Sequence, residues 1–380
     1  MAESTKVLKI LFVFGTRPEA IKLCPVVRHL RCRADFLARI CVTAQHRLLL
    51  DQVMEAFGVV PDYDLGAMVA GQTLFQSTSR IMAGLEPVLV AECPDMVLVQ
   101  GDTTSTFCGA LAGFYHRVPV GHVEAGLRTG DISQPFPEEM NRVLTTRLSS
   151  LHFAATEGAA KNLLAEGVSK NRIAVTGNTG IDAVLYVNEK LQRGELRGSD
   201  WPQLDGSRKL IVVTAHRRES FGEGFERICS ALIRLARRPD VQIVYPVHPN
   251  PNVLQPVSRR LSGLDNVILT EPLTYVPFVD LMRRAHILLT DSGGIQEEGP
   301  SLGKPVLVMR EKTERPEAVN VGTVRLVGTD PDCIVRETER LLDDPVEYQR
   351  MSRIHNPYGD GQASRRIADL IVSFFDRKTP

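Results

Sequence analysis

The sequence predicts an α/β protein of two Rossmann-like domains. Short apolar runs recur along the 380-residue chain, and runs that brief and that apolar suit strands buried on both faces of a parallel sheet. Segments with helical apolar periodicity separate them. The alternation is traversed twice, with a second series opening at Lys209, and two βα series of this length imply two domains. A chain of 380 residues also exceeds one ordinary domain.

Val7–Phe14 reads as the first strand. Arg17-Pro18-Glu19 opens a helix, since Pro and Glu are favoured in a first turn. Strands follow at Ile40–Thr43, Met96–Val99, Val118–Val123 and His152–Ala155, with helices such as Leu48–Phe57 and Thr103–His116 between them. The second series comprises Lys209–Val213, Val241–Tyr245, Val267–Leu269, Ile287–Leu289, Val306–Val308 and Val324–Val327. The boundary is expected near Thr176–Gly180, giving domains 1–177 and 178–361. The polar stretch Gln192–Arg208 is expected at the surface of the second domain. The last helix, Gln362–Phe375, has no strand after it and can pack on either domain, with the segment 362–380 returning to the first as one arrangement.

Composition narrows the function. Lys plus Arg and Asp plus Glu each number 45, so no charge imbalance points to nucleic acid or a membrane surface. The first apolar stretch is interrupted by Lys9, is too short to span a bilayer, and does not resemble a secretory signal. Seven scattered cysteines without a Cys-x-x-Cys read as small core residues in a reducing cytoplasm, not as a disulfide frame or a metal site.

Three acidic motifs lie between Gln100 and Arg142. They are Gln-Gly-Asp102-Thr-Thr-Ser-Thr, His122-Val-Glu124-Ala-Gly-Leu-Arg128, and Pro137-Glu138-Glu139-Met-Asn-Arg142. The first two follow apolar strands, and open α/β sheets bind ligands just past such strand ends. Asp102, Glu124 and Glu138 can thus be aimed at one crevice, an arrangement suited to proton transfer. His122, inside the strand end leading to Glu124, is either structural or part of the site.

Other strand ends suit anions. Gly15-Thr16-Arg17 offers close backbone approach, a helix N-terminus and a guanidinium, or is a plain βα turn with a surface Arg. Asp291-Ser292-Gly293-Gly294 presents open N–H groups and a hydroxyl, with Glu298 a turn deeper to accept from a hydroxyl pair such as a ribose diol. The alternative is a helix cap with a tight turn. His216, beside Arg217 and Arg218, suits an anion-facing role. His248 lies in the Pro-rich loop Tyr245–Pro251 as a capped loop residue or a site wall. His29, His46, His116, His286 and His355 read as structural. No Gly-x-Gly-x-x-Gly follows any strand, which argues against a nicotinamide cofactor, and no cofactor is expected.

With these motifs assembled, the chain resembles the bacterial non-hydrolysing UDP-N-acetylglucosamine 2-epimerases nearly end to end. The resemblance runs from Phe14-Gly-Thr-Arg-Pro-Glu19 through Gly101-Asp-Thr-Thr104, His122-Val-Glu-Ala-Gly-Leu-Arg128, His216-Arg-Arg-Glu219 and Asp291-Ser-Gly-Gly-Ile-Gln-Glu-Glu298 to Asn356-Pro-Tyr-Gly-Asp360. It implies a glycosyltransferase-B-like fold with the active site in the interdomain cleft, a homodimer, and interconversion of UDP-GlcNAc and UDP-ManNAc for surface polysaccharides. By position it implies catalytic roles for Asp102, Glu124 and Glu138, and substrate- or phosphate-facing roles for Arg17, Lys22, Arg142, His216 and Arg315. It implies diphosphate and ribose contacts at Ser292, Gly293, Gly294 and Glu298, and a uracil-lining position at Phe278. We take His216 into the catalytic set. Some members bind a second UDP-GlcNAc as activator. Gln45 and His248 match that pattern, whereas Leu48 and Gly71 replace its Gln and Arg.

The family chemistry explains the carboxylates. The C2 hydrogen of the sugar becomes removable as UDP departs and C1 gains positive character, so a positioned base can take it. The rival readings are a glycosyltransferase on the same fold, an epimerase of another nucleotide sugar, and a nucleotide-sugar sensor.

Overall fold

A strand that is apolar on both faces must be covered by helices on both, and the chain meets that requirement in each of two units. The computed structural model describes residues 6–44, 47–69, 71–353 and 355–377. The expectations placed on Gln45, His46 and the Leu48 side chain lie outside what is described. One unit is Met1–Ala183 with Gly359–Pro380, and the other is Val184–Tyr358.

The first unit contains β1 (Leu8–Phe14), α1 (Arg17–Arg31), β2 (Phe36–Val42), α2 (Arg47–Ala56), β3 (Tyr63–Asp64), α3 (Leu74–Glu92), β4 (Met96–Gln100) and α4 (Thr104–Tyr115). It continues with β5 (Val120–Ala125), α5 (Glu138–Leu148), β6 (Leu151–Ala154), α6 (Glu157–Ala165), β7 (Ile173–Val175) and the start of α7 (Thr179–Gln192). The division between units falls inside α7, just past Gly180. The strands form one parallel sheet in the order β3-β2-β1-β4-β5-β6-β7. Phe12 pairs with Ile40 on one side and Leu98 on the other, and all three are fully buried. The expected strands are present. β3 and β7 had no sequence signal, because both are very short edge strands with part-exposed residues.

The second unit contains β8 (Lys209–Thr214), α8 (Glu223–Leu235), β9 (Val241–Pro246), α9 (Pro251–Leu261), β10 (Val267–Thr270), α10 (Tyr275–Arg284), β11 (Ile287–Thr290) and α11 (Gly293–Ser301). After these come β12 (Val306–Val308), α12 (Pro316–Val321), β13 (Val324–Leu326), α13 (Pro331–Asp343) and α14 (Pro345–Ser352). Its parallel sheet has the order β10-β9-β8-β11-β12-β13. Tyr245, Phe225 and Ile243 anchor its core. The final helix, α15 (Ala363–Asp376), belongs to the first unit and packs on α1. Asp182 accepts the Ala363 and Ser364 N–H groups at 3.2 and 2.8 Å, and Arg33 holds Asp369 at 2.6 Å.

Both sheets are doubly wound. The strand order reverses between β1 and β4 in one and between β8 and β11 in the other. Ligands of open α/β sheets bind at such switch points, outside the carboxyl ends of the strands. The Gly15 turn and Asp102 follow β1 and β4, while His216 and Asp291 follow β8 and β11.

Several histidines are folded in as neutral groups. Burial pushes His122 down to about 3 and, aided by Lys209 and Lys304, His286 down to about 4, from an ordinary 6.5. A histidine with a depressed folded pKa contributes stability above its unfolded value and loses it as pH falls toward the folded value. His286 stacks on Tyr348 at 4.1 Å between ring centroids. His286→Phe keeps a ring there, so its stability relative to the parent protein should rise as pH drops from 6.5 toward 4. Denaturant midpoints that shift in parallel for both proteins across that window would refute this assignment.

Candidate functional site

In the first unit the site is built around carboxylates that the sheet pushes to its carboxyl edge. Glu124 lies on β5 at a register break against β6, between Val123 and Ala125. Its backbone has φ +61°, a left-handed conformation that costs a non-glycine residue of order 1–3 kcal/mol. The bulge turns its carboxylate onto Lys22, whose Nζ lies 2.6 Å from both Oε1 and Oε2. Gln100 Nε2 also donates to Oε2.

Asp102 follows the Gly101 turn after β4, and Gly101 has φ +75°. Arg142 of α5 donates to Asp102 Oδ2 from Nε at 2.8 Å and approaches the same oxygen through Nη2 at 2.6 Å. Asn141 Nδ2 holds the Asp102 carbonyl at 2.9 Å. Burial raises the proton affinity of Asp102, Arg142 opposes it, and the charge of Glu124 raises it further. The two carboxylates therefore sense each other, which makes simultaneous ionisation harder. Glu138, half-buried, is the first residue of α5. Its neighbour Glu139 is buried, binds Arg142 Nη1 at 2.7 Å, and accepts the Thr129 and Gly130 N–H groups.

Two further side chains hold this edge together. Glu19 is buried in α1 and forms a capping box with Thr16. Its Oε2 accepts the Gly15 and Thr16 N–H groups at 3.1 and 2.7 Å, and its Oε1 meets the Thr103 and Thr106 hydroxyls at 2.8 and 3.1 Å. It thereby ties the turn carrying Arg17 to the loop carrying Asp102. His122 Nε2 lies 2.7 Å from the Gly101 carbonyl, so that nitrogen carries the proton of the neutral ring.

The second unit gathers groups at the N-terminus of α11. Ser292 is the N-cap and makes no side-chain capping bond. A Cβ placed on Gly293 would lie 3.5 Å from Glu314 Oε1, 3.9 Å from Arg217 Nη2 and 4.0 Å from Arg315 Nη2. Two guanidinium groups thus stand beside the first turn, where backbone N–H groups and the helix dipole favour an anion. Arg315 Nε is held by Glu297, and its backbone N–H by Thr313 at 3.0 Å. Gly294 is exposed and Glu298 is half-buried deeper in the same helix. His216 stacks on His248 at 5.6 Å. Phe278, half-buried, lies in the first turns of α10. Among the described residues, no helix is long and apolar enough to cross a membrane.

The profile of the UDP-N-acetylglucosamine 2-epimerase family matches residues 28–372. A UDP-N-acetylglucosamine 2-epimerase of Escherichia coli K12 is 58% identical over 370 residues, spanning 96% of this chain and 98% of that one. The chain belongs to the UDP-N-acetylglucosamine 2-epimerase family. It is an epimerase, hence an isomerase, acting on a nucleotide sugar. The crystal structure of the Neisseria meningitidis enzyme bound to UDP-GlcNAc superposes with a TM-score of 0.87 at 48% identity, covering 96% of this chain and 100% of that one. A glycotransferase of kitacinnamycin, 14% identical with a TM-score of 0.65, shares the fold alone, consistent with the glycosyltransferase-B-like architecture.

Within this family fold, the sequence reading did not identify Glu19, Gln100, Glu139 or Asp291 as site-forming groups. For Glu19 a signal existed, because Thr16-x-x-Glu19 has capping-box spacing. The others depend on which strand ends meet in space. Gly15 has a sharper signature in the structure: a Cβ there would lie 1.9 Å from Thr43 Oγ1 and 2.6 Å from Ser105 Oγ. Gly15→Ala should therefore destabilise the protein by about 1–3 kcal/mol through overpacking. An unchanged denaturant midpoint would contradict that close approach.

Proposed function

We propose that the protein interconverts UDP-GlcNAc and UDP-ManNAc by eliminating UDP and adding it back. The C1–O bond breaks with its electron pair leaving on UDP. A carboxylate takes the C2 proton, the C–H pair becomes the C1–C2 double bond, and 2-acetamidoglucal results. A second acid then delivers a proton to the opposite face of C2 while a UDP oxygen re-forms the C1–O bond. General acid–base steps of this kind contribute about 100- to 10,000-fold each.

The observation that supports this reading is the Asp102–Glu124 pair. Each carboxylate has its own cation, and the charge of Glu124 raises the tendency of Asp102 to hold a proton. Such a pair suits a site where one member accepts a proton while another donates. The N-terminus of α11, with Arg217 and Arg315 beside it, suits the diphosphate. Glu298 suits the ribose, and Phe278 the uracil. On this reading the enzyme works in the cytoplasm, and its product supplies ManNAc units to surface polysaccharides.

We further infer a homodimer. Phe75 and Val90 of α3, and Phe114 and Tyr115 of α4, are 89%, 61%, 57% and 67% exposed. Four large apolar side chains on adjacent helices suit a self-complementary interface.

Asp102→Asn, Glu124→Gln and Glu138→Gln should each lower kcat by at least about 100-fold while leaving UDP binding measurable by calorimetry. Near-normal turnover in all three would overturn the carboxylate assignment. Reaction in D₂O should place deuterium at C2 of the product, followed by nuclear magnetic resonance, and prolonged incubation should release some UDP. A product retaining protium at C2 with no free UDP would refute elimination even with epimerase activity intact.

A further inference from the structure

Asp291 directly follows β11 and is fully buried. Its Oδ2 accepts the backbone N–H groups of His216 and Arg217, both at 2.7 Å. Its Oδ1 accepts no hydrogen bond among the described residues and lies 3.6 Å from His216 Nδ1. A buried carboxylate oxygen facing a ring nitrogen is favourable when that nitrogen bears the proton, and unfavourable when two lone pairs meet. The faces of the His216 ring are committed differently, since it stacks on His248. The nitrogen that faces Asp291 is Nδ1, which leaves Nε2 as the ring's second polar atom.

We propose that Asp291 is a positioning residue of the nucleotide site: it keeps a proton on His216 Nδ1, so that diphosphate binding draws a second proton onto Nε2. The proposal rests on the nucleotide reading given above. Partial desolvation lowers the proton affinity of the ring, whose side chain is still 40% exposed; Asp291 opposes this, and Arg217 and His248 add to the lowering. The free ring is therefore neutral near pH 7, and its Nε2 lone pair would repel a phosphate oxygen. The arginines near the α11 N-terminus are already paired: Arg217 with Glu314, Arg310 with Glu219 and Glu314, and Arg315 with Glu297. An arriving diphosphate adds negative charge to a largely neutralised cluster. Protonation of Nε2 from solvent supplies the missing positive charge, and Asp291 stabilises the resulting imidazolium from its other side.

The Asp291→Asn variant separates positioning from scaffolding. Its amide oxygen can still accept the His216 and Arg217 N–H groups, while its amide N–H faces Nδ1. The ring proton then moves to Nε2, and the neutral ring can donate to a phosphate without taking up a proton. Nitrogen-15 spectra of the ligand-free imidazole should show the Nδ1–H tautomer in the parent protein and Nε2–H in the variant. Calorimetry of UDP binding in two buffers of different ionisation enthalpy should show proton uptake near neutral pH in the parent protein. That uptake should be lost in Asp291→Asn and in His216→Asn. UDP affinity of the parent should fall as pH rises, by at most about tenfold per unit for one proton, whereas Asp291→Asn should be flat. Proton uptake in Asp291→Asn equal to the parent's, or an Nε2–H tautomer in the free parent protein, would overturn the proposal. If UDP fails to bind the parent protein, the nucleotide reading fails, and the tautomer comparison still decides the role of Asp291.

Discussion

Charged side chains at the carboxyl edge of a parallel sheet leave the core before they reach bulk water, so each needs a partner supplied locally. That constraint organises both units. Glu124 is met by Lys22, Asp102 by Arg142, Glu139 by Arg142 and two backbone N–H groups, and Asp291 by two more. These are part-buried pairs, for which removing one member leaves an uncompensated charge. The partners come from distant points in sequence. Lys22 and Glu124 are 102 residues apart, and Arg142 and Asp102 are 40 apart. The sheet topology is therefore a precondition for the charge arrangement.

The same constraint explains where glycine is required. Gly15 sits where β1 ends against Thr43 and Ser105, with no room for a side chain. Gly101 reverses the chain with a positive φ so that Asp102 can return toward the edge. Gly293 leaves its first-turn N–H groups approachable between two guanidinium groups. Glu124 is the informative exception, because a non-glycine residue holds a left-handed conformation at a β-bulge. Strain of this kind persists where the surroundings over-determine it, and here Lys22 and Gln100 fix the side chain that the bulge redirects.

The main strands were legible in the sequence because two-sided burial leaves continuous apolar runs, as in Met96–Gln100 and Ile287–Thr290. The edge strands Tyr63–Asp64 and Ile173–Val175 were not, since neither is long or apolar enough to stand out from a loop. Strand-end motifs identified Asp102, Glu124, His216 and the Ser292–Gly294 turn as candidates because open sheets bind ligands at that edge. The partners were less accessible. Nothing local to Lys22 says that it will meet Glu124, and Glu139 looks like the poorer twin of Glu138 until Arg142 and the Thr129–Gly130 backbone are seen around it. The left-handed conformation at Glu124 has no sequence signal at all, because no glycine or asparagine announces it.

The two units use one scaffold for opposite electrostatic ends. In the first, carboxylates are central and cations flank them, so the adjustable quantity is how strongly a carboxylate holds a proton. Burial and the neighbouring Glu124 raise that affinity at Asp102, and Arg142 limits the rise. In the second, a helix N-terminus and guanidinium groups are central and carboxylates flank them, so the adjustable quantity is how much positive charge remains for an anion. Glu297 and Glu314 reduce it at Arg315 and Arg217. On the elimination mechanism proposed above, a fully unpaired cationic cluster would bind a departing diphosphate too firmly for its re-addition. A fully neutralised one would not stabilise its departure. That mechanism requires an intermediate strength, and carboxylate-paired arginines beside His216 are a physical means of setting it.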